Sequence, residues 1–246
     1  MTLIADINIA DPAMITALLT LTLLEIILGV DNIIFISIVS NKLAVEKQRK
    51  ARTIGLLLAM IFRIILLFGI TWLIGLTKPL FTLPFKVSGD VIDVSWKDII
   101  LFAGGLFLIF KSTLEIHHKF ESVKATDVKK APAVFSAVIL QIVLVDAVFS
   151  FDSILTAVGL VDQLWVMITA VVISMTIMIL FSGFISNFIN KHPTLQILAL
   201  AFLIMIGMLL VAEGFHYHIN KNYVYTAIAF SLVVELINMR LRKSSS

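Results

Sequence analysis

Long apolar runs alternate with short charged stretches along this chain, and the period is that of a membrane protein. Seven runs reach spanning length: Pro12 to Val39, Thr53 to Leu76, Ile99 to Ile116, Ala133 to Leu160, Leu164 to Phe188, Leu195 to Ala212 and Tyr223 to Met239. Each offers the roughly 17 to 25 residues a helix needs to cross the hydrocarbon layer. Backbone groups in lipid must bond within their own segment, so the runs predict helices, and the fold class expected is all-α, polytopic, with seven transmembrane helices. Pro79, Pro84, Ser88 and Gly89 mark the longest connecting loop, and a disordered tail is expected over Ser244 to Ser246.

Composition agrees with this pattern and excludes a soluble fold: 60% of residues are hydrophobic, 14% are charged and the mean hydropathy is +1.06. There is no cysteine, so disulfides and thiolate metal sites are ruled out. The first run has no basic leader or small-residue cleavage site and is expected to be a retained span, not a signal peptide.

Charge placement gives a topology. The stretch from Asn41 to Arg52 carries Lys42, Lys47, Arg49, Lys50 and Arg52, and that from Lys119 to Lys130 carries Lys119, Lys124, Lys129 and Lys130. With Lys191, Arg240, Arg242 and Lys243 they put 13 basic residues on one side, against Lys78, Lys86, Lys97 and Lys221 on the other. The positive-inside rule then places the N-terminus, with Asp6 and Asp11, outside and the C-terminus in the cytoplasm.

One pattern occurs twice. The first span contains Glu25-Ile-Ile-Leu-Gly29-Val-Asp31-Asn32-Ile33, and the fourth contains Asp146-Ala-Val-Phe-Ser150-Phe-Asp152-Ser153-Ile154. An odd number of spans separates the copies, so they must cross the bilayer in opposite directions, as in inverted-repeat transporters. The single transmembrane domain, 1–246, is therefore expected to hold a first repeat over 12–116, an inverted second repeat over 133–212 and an additional helix over 223–239. A weaker echo, Glu115-Ile-His117-His118 against Glu213-Gly-Phe-His216, ends the third and sixth spans.

Four carboxylates at membrane depth need a reason, because each costs about 2.5 to 3.5 kcal/mol on insertion scales. Glu25 and Asn32 share a helix face, as do Asp146 and Ser153, with Gly29 and Ser150 between them, while Asp31 lies about 120° away from Glu25 around an ideal helix. Local unwinding at Gly29 would bring Asp31 and freed carbonyls into the same cavity. Carboxylate, amide and hydroxyl oxygens suit Mn²⁺, Mg²⁺ or Ca²⁺ better than copper or zinc. The candidate metal ligands are accordingly Glu25, Asp31, Asn32, Asp146, Asp152 and Ser153.

Four ionised acids carry −4, and one divalent cation leaves −2. Either some carboxyls hold protons, which permits exchange of metal for protons, or Arg63 and Lys111 supply positive charge from neighbouring helices. The competing structural reading of the acids is polar glue between helices, and Lys111 could snorkel to the interface. Glu115, His117, Glu213 and His216 are candidates for gating or ion access, against a reading as ordinary solvated interface groups. The basic loops give no case for nucleic acid, no nucleophile and base stand at catalytic spacing, and no prosthetic group is expected.

These residues resemble the TerC family of integral membrane proteins. The resemblance rests on Leu24 to Phe35, on Gly104-Gly105 with Lys111, Glu115 and His117, on Gln141 to Asp146 with Phe149 to Ser153, and on His218-Ile-Asn-Lys221. It implies a seven-span protein of the lysine-exporter type superfamily in the bacterial cytoplasmic (inner) membrane, with the acidic motifs serving metal passage. Family members are linked to manganese efflux, to tellurium resistance or to supplying metal to proteins made at the membrane. Asn220 stands where similar sequences have proline, and the soluble attachments of longer relatives are not expected after the last span. The leading expectation is a Mn²⁺ exporter, proton-coupled and not an enzyme, with lipid, metal cation and protons as partners. The alternative is a non-transporting scaffold that assists metalation or insertion of other proteins, and an amino-acid or anion exporter is disfavoured by the carboxylates.

Overall fold

A computed structural model describes residues 12–87, 90–124, 133–161, 163–217 and 219–244. The helices are α1 (Pro12–Ser40), α2 (Val45–Phe68), α3 (Ile70–Gly75), α4 (Trp96–Lys124), α5 (Phe135–Leu160), α6 (Leu164–Asn190), α7 (Pro193–Gly214) and α8 (Lys221–Ser244). Among the described residues six of them, α1, α2, α4, α5, α6 and α7, are long and apolar enough to cross a membrane. The protein is an all-α, polytopic membrane protein. The seventh apolar run is helical as α8, which does not stand among those six.

Helix ends follow from local chemistry. Pro12 and Pro193 open α1 and α7, where a missing N–H is no loss. Ser95 and Asp98 cap α4 reciprocally: Asp98 Oδ2 accepts from Ser95 N at 2.8 Å and Ser95 Oγ accepts from Asp98 N at 3.3 Å. The end of α7 closes with Tyr217 N donating to Ala212 O and His216 N to Glu213 O, both at 2.9 Å, and His216 takes the left-handed position at φ 63°.

Three sequence expectations are corrected. The second run is not one span, because Gly69 separates α2 from the six-residue α3. The expected loop around Pro79 and Pro84 is a hairpin of β1 (Pro79–Val87) and β2 (Asp90–Ser95), with Ser88 and Gly89 outside the described residues. α1 runs unbroken through Gly29, so the helix does not unwind there. A methyl group on Gly29 would collide with Met178 Sδ and lie 3.0 Å from Met178 Cε, which makes the glycine a close-packing position for α6.

The chain divides into two compact units. The first comprises Met1–Pro79 and Ala131–Asn187 and so holds α1, α2, α3, α5 and most of α6; the second comprises Leu80–Lys130 and Phe188–Ser246 and holds the hairpin, α4, α7 and α8. Each unit therefore draws helices from both halves of the sequence. In the first, Asn32 meets Asp146 while Leu21 lines one cavity with Ile154 and Ala157, so α1 and α5 run antiparallel. In the second, Phe102 stacks edge-on against Phe215 and Lys119 donates to Gln196, so α4 and α7 are antiparallel too. The second pair crosses at Gly105 and Gly207. A Cβ on Gly105 would stand 2.6 Å from Gly207 O, and one on Gly207 would stand 2.8 Å from Gly105 O.

Candidate cation site

Glu25, Arg63, Asn32 and Asp146 form one cluster in the first unit, each 2–3% exposed. α1 supplies Glu25 and Asn32, α2 supplies Arg63 and α5 supplies Asp146. Seven residues are close to two turns of helix, so Glu25 and Asn32 lie on one face of α1, as the spacing predicts.

Arg63 holds two acids at once. Its Nη1 donates to Glu25 Oε2, while Nη2 and Nε donate to Asp146 Oδ1 and Oδ2 at 2.7 and 3.1 Å, a bidentate pair. Asp146 also accepts from Asn32 Nδ2 at 3.3 Å and from Ser150 Oγ at 2.9 Å. Ser150 donates as well toward the Asp146 carbonyl at 2.6 Å, which fixes its rotamer one turn along α5. Among the described residues, Asn32 Oδ1 is buried without a hydrogen-bond partner. Glu25 and Asp146 occupy the same position in the two copies of the acidic pattern, and one guanidinium joins them.

Two cavities lie along α1. The larger, about 540 Å³, is lined by Pro12, Ala13, Thr16, Ala17, Thr20, Leu21, Leu160 and Val161 at one end of α1 and α5. The smaller, about 10 Å³, is bounded by Leu21, Glu25, Leu67, Ile154 and Met167 among others. Leu21 borders both, and the inner space has room for about one water molecule.

Other expected site residues are placed differently. The side chains of Asp31 and Asp152 lie outside the described residues, and Ser153 is buried on α5 with its hydroxyl donating to Ser150 O at 3.3 Å. Among the described residues, no group of three or more His, Cys, Asp or Glu gathers that could hold a metal ion. Arg63 supplies the positive charge expected of a neighbouring helix, whereas Lys111 belongs to α4 in the second unit.

The second unit carries the Glu-x-x-His segments. Glu115 is buried on α4 and His117 is exposed on the same helix. Glu213 faces Lys97 at 3.7 Å, and His216 Nε2 lies 3.3 Å from Asp98 Oδ2. Sequence reasoning did not find this clasp of two helix ends; the signal that could have pointed to it is Ser95 three residues before Asp98, a capping pattern that was not drawn on. At the glycine crossing a Cβ on Gly105 would also meet Val211 and one on Gly207 would also meet Ile109.

A sequence model described as "Integral membrane protein TerC family" matches residues 10–246. The chain is 48% identical over 236 residues to the "UPF0053 inner membrane protein YoaE" of Escherichia coli (strain K12), covering 95% of this chain and 44% of that protein. It is 46% identical over 231 residues to the "UPF0053 protein YegH" of the same strain, covering 94% of this chain and 43% of that protein. With a "UPF0053 protein" of Haemophilus influenzae it shares 44% identity over 243 residues, covering 96% and 97% of the two chains. The chain thus spans under half the length of the first two relatives and nearly all of the third. No solved structure matches.

Proposed function

The chain belongs to the TerC family of integral membrane proteins, and from that premise we propose that it exports a hard divalent cation, Mn²⁺ foremost, across the bacterial inner membrane. The observation that carries this reading is the convergence of Glu25 and Asp146, equivalent acids of two antiparallel helices, on one buried centre. Packing alone gives no reason to repeat an acidic pattern and then bring its first acids together, since like charges in a dry interior repel. Oxygen ligands without thiolate or clustered imidazole favour a hard ion.

On this reading Glu25, Asn32 and Asp146, with Asp31, Asp152 and Ser153 of the same pattern, make the ion's passage, in a chain that crosses seven times with its N-terminus outside. Export proceeds by alternating access without covalent chemistry, and protons exchanged for metal balance the surplus of carboxylates. The inner-membrane placement is supported by the name of the Escherichia coli relative.

The test is Mn²⁺ flux into proteoliposomes carrying the purified chain, compared with Asp31→Asn and Asp152→Asn. Wild-type flux that depends on a pH gradient, and its loss in both variants, is expected. Absence of flux with intact binding to partner proteins would favour the scaffold role, and flux indifferent to the gradient would remove the coupling.

A further inference from the structure

Arg63 occupies the positions on Glu25 and Asp146 that a bound cation would need. Its three nitrogens face three oxygens of the two carboxylates, and the whole group is buried. The remaining space beside Glu25, about 10 Å³, admits about one water and no hydrated ion. A cation that took those same oxygens as ligands would require the guanidinium to leave them. Asn32 adds a second observation. Its amide nitrogen is engaged by Asp146, and its oxygen, an acceptor only, is buried without a partner among the described residues. An Arg-carboxylate cluster has no use for that oxygen unless the guanidinium turns to it, whereas a hard cation on the same acids would take it as a ligand.

We propose that Arg63 is a tethered stand-in for the cargo: it bridges Glu25 and Asp146 and offsets one of their two charges in the unloaded protein, leaves them when the cation binds, and returns to displace it. This inference rests on the cation-carrier reading and adds the residue that sets affinity and release. Arginine suits the role because its planar fork holds two acids together, which a lysine ammonium does less well. Apparent affinity for a site that is free only part of the time falls by the fraction of time it is free. Removal of the competitor must tighten binding, and it must also slow release.

The test uses the full chain, purified in detergent, with Mn²⁺ alone as the probe, and binding read from loss of the hydrated-ion EPR signal. Arg63→Gln is expected to bind Mn²⁺ about tenfold tighter or more than wild type. Arg63→Lys is expected to fall between them. In liposomes Arg63→Gln should lower both KM and maximal flux, a split that a merely structural arginine does not produce. Arg63→Gln leaves two acids without their cation, so its unliganded fold is expected to be weaker, and Mn²⁺ should raise its melting temperature more than it raises that of wild type. Should that variant fail to fold even with Mn²⁺, Arg63→Lys decides, since it keeps the charge. Wild-type binding with variants no tighter than wild type overturns the competitor role and leaves the carrier reading standing. Absence of Mn²⁺ binding in wild type and both variants overturns the two together.

Discussion

Neutralising one acid of the cluster should cost stability in different measure depending on which acid is chosen. Glu25 and Asp146 with Arg63 sum to −1, so Glu25→Gln leaves the neutral pair Arg63–Asp146, and the new amide oxygen can still accept from Nη1. The cost is that of weakening one charge-assisted bond, about 1 to 2 kcal/mol. Asp146→Asn is different, because Asp146 accepts from Arg63 Nη2 and Nε, from Ser150 Oγ and from Asn32 Nδ2. An amide has one acceptor oxygen for those four donors, and its own NH₂ points at one of them. Breaking a buried pair in this way costs about 3 to 5 kcal/mol. For a chain of this size that corresponds to a fall of roughly 6 to 20 °C in melting temperature, against about 2 to 8 °C for Glu25→Gln. Tryptophan fluorescence during heating in detergent measures both, and proteoliposome flux measures function. Both variants should lose export, while Glu25→Gln keeps most of its stability. A Glu25→Gln protein that melts as low as Asp146→Asn, or lower, would refute the assignment of Asp146 as the hub.

Three further outcomes follow from the geometry. Gly207→Ala should destabilise by about 1 to 3 kcal/mol because its Cβ meets Gly105 O at 2.8 Å, whereas Gly183→Ala in α6, with nothing within 4 Å, should gain up to about 1 kcal/mol; the reverse order on thermal unfolding would refute the close crossing of α4 and α7. His216 sits at φ 63°, so His216→Gly relieves backbone strain of about 1 to 2 kcal/mol that offsets the lost Asp98 contact, and His216→Ala keeps the strain and loses the contact; a His216→Ala protein that melts above His216→Gly would count against this helix cap. Because the chain has no cysteine, Lys47→Cys and Thr82→Cys can be labelled in cells without background: an impermeant thiol reagent should reach only the second, and the opposite result would invert the topology.

How far the sequence was legible depends on whether a feature is local or set by a partner. The membrane helices were readable because each span must satisfy its own backbone, so its length and apolarity are written in one stretch. The hairpin had a local signal in Ser88-Gly89 between residues of high β-propensity, but Pro84 inside β1 argued for a loop, and the antiparallel neighbour outweighed it. Gly29 suggested local unwinding, and only Met178 on another helix makes it a close-packing position. Likewise the carboxylates announced themselves by repetition, yet nothing near Arg63 in the chain says that α2 brings it between α1 and α5. The clasp of Asp98 with His216 was invisible for the same reason, since its halves are more than a hundred residues apart.

A single residue thus ties three helices, and that has consequences for motion. A ligand shifts a conformational equilibrium only by binding the two states unequally. While Arg63 bridges Glu25 and Asp146, α2 is bound to α1 and α5 by charged bonds in a buried site. A divalent ion in the same place would bind α1 to α5 equally well, but it belongs to no helix, and α2 would lose its tether. Loaded and unloaded proteins would then differ in which helices are held together and not merely in what fills the site. On the proposed carrier reading, that difference would be the unequal binding that alternating access requires, and Arg63, a cation that is part of the fold, would let the acid pair supply it.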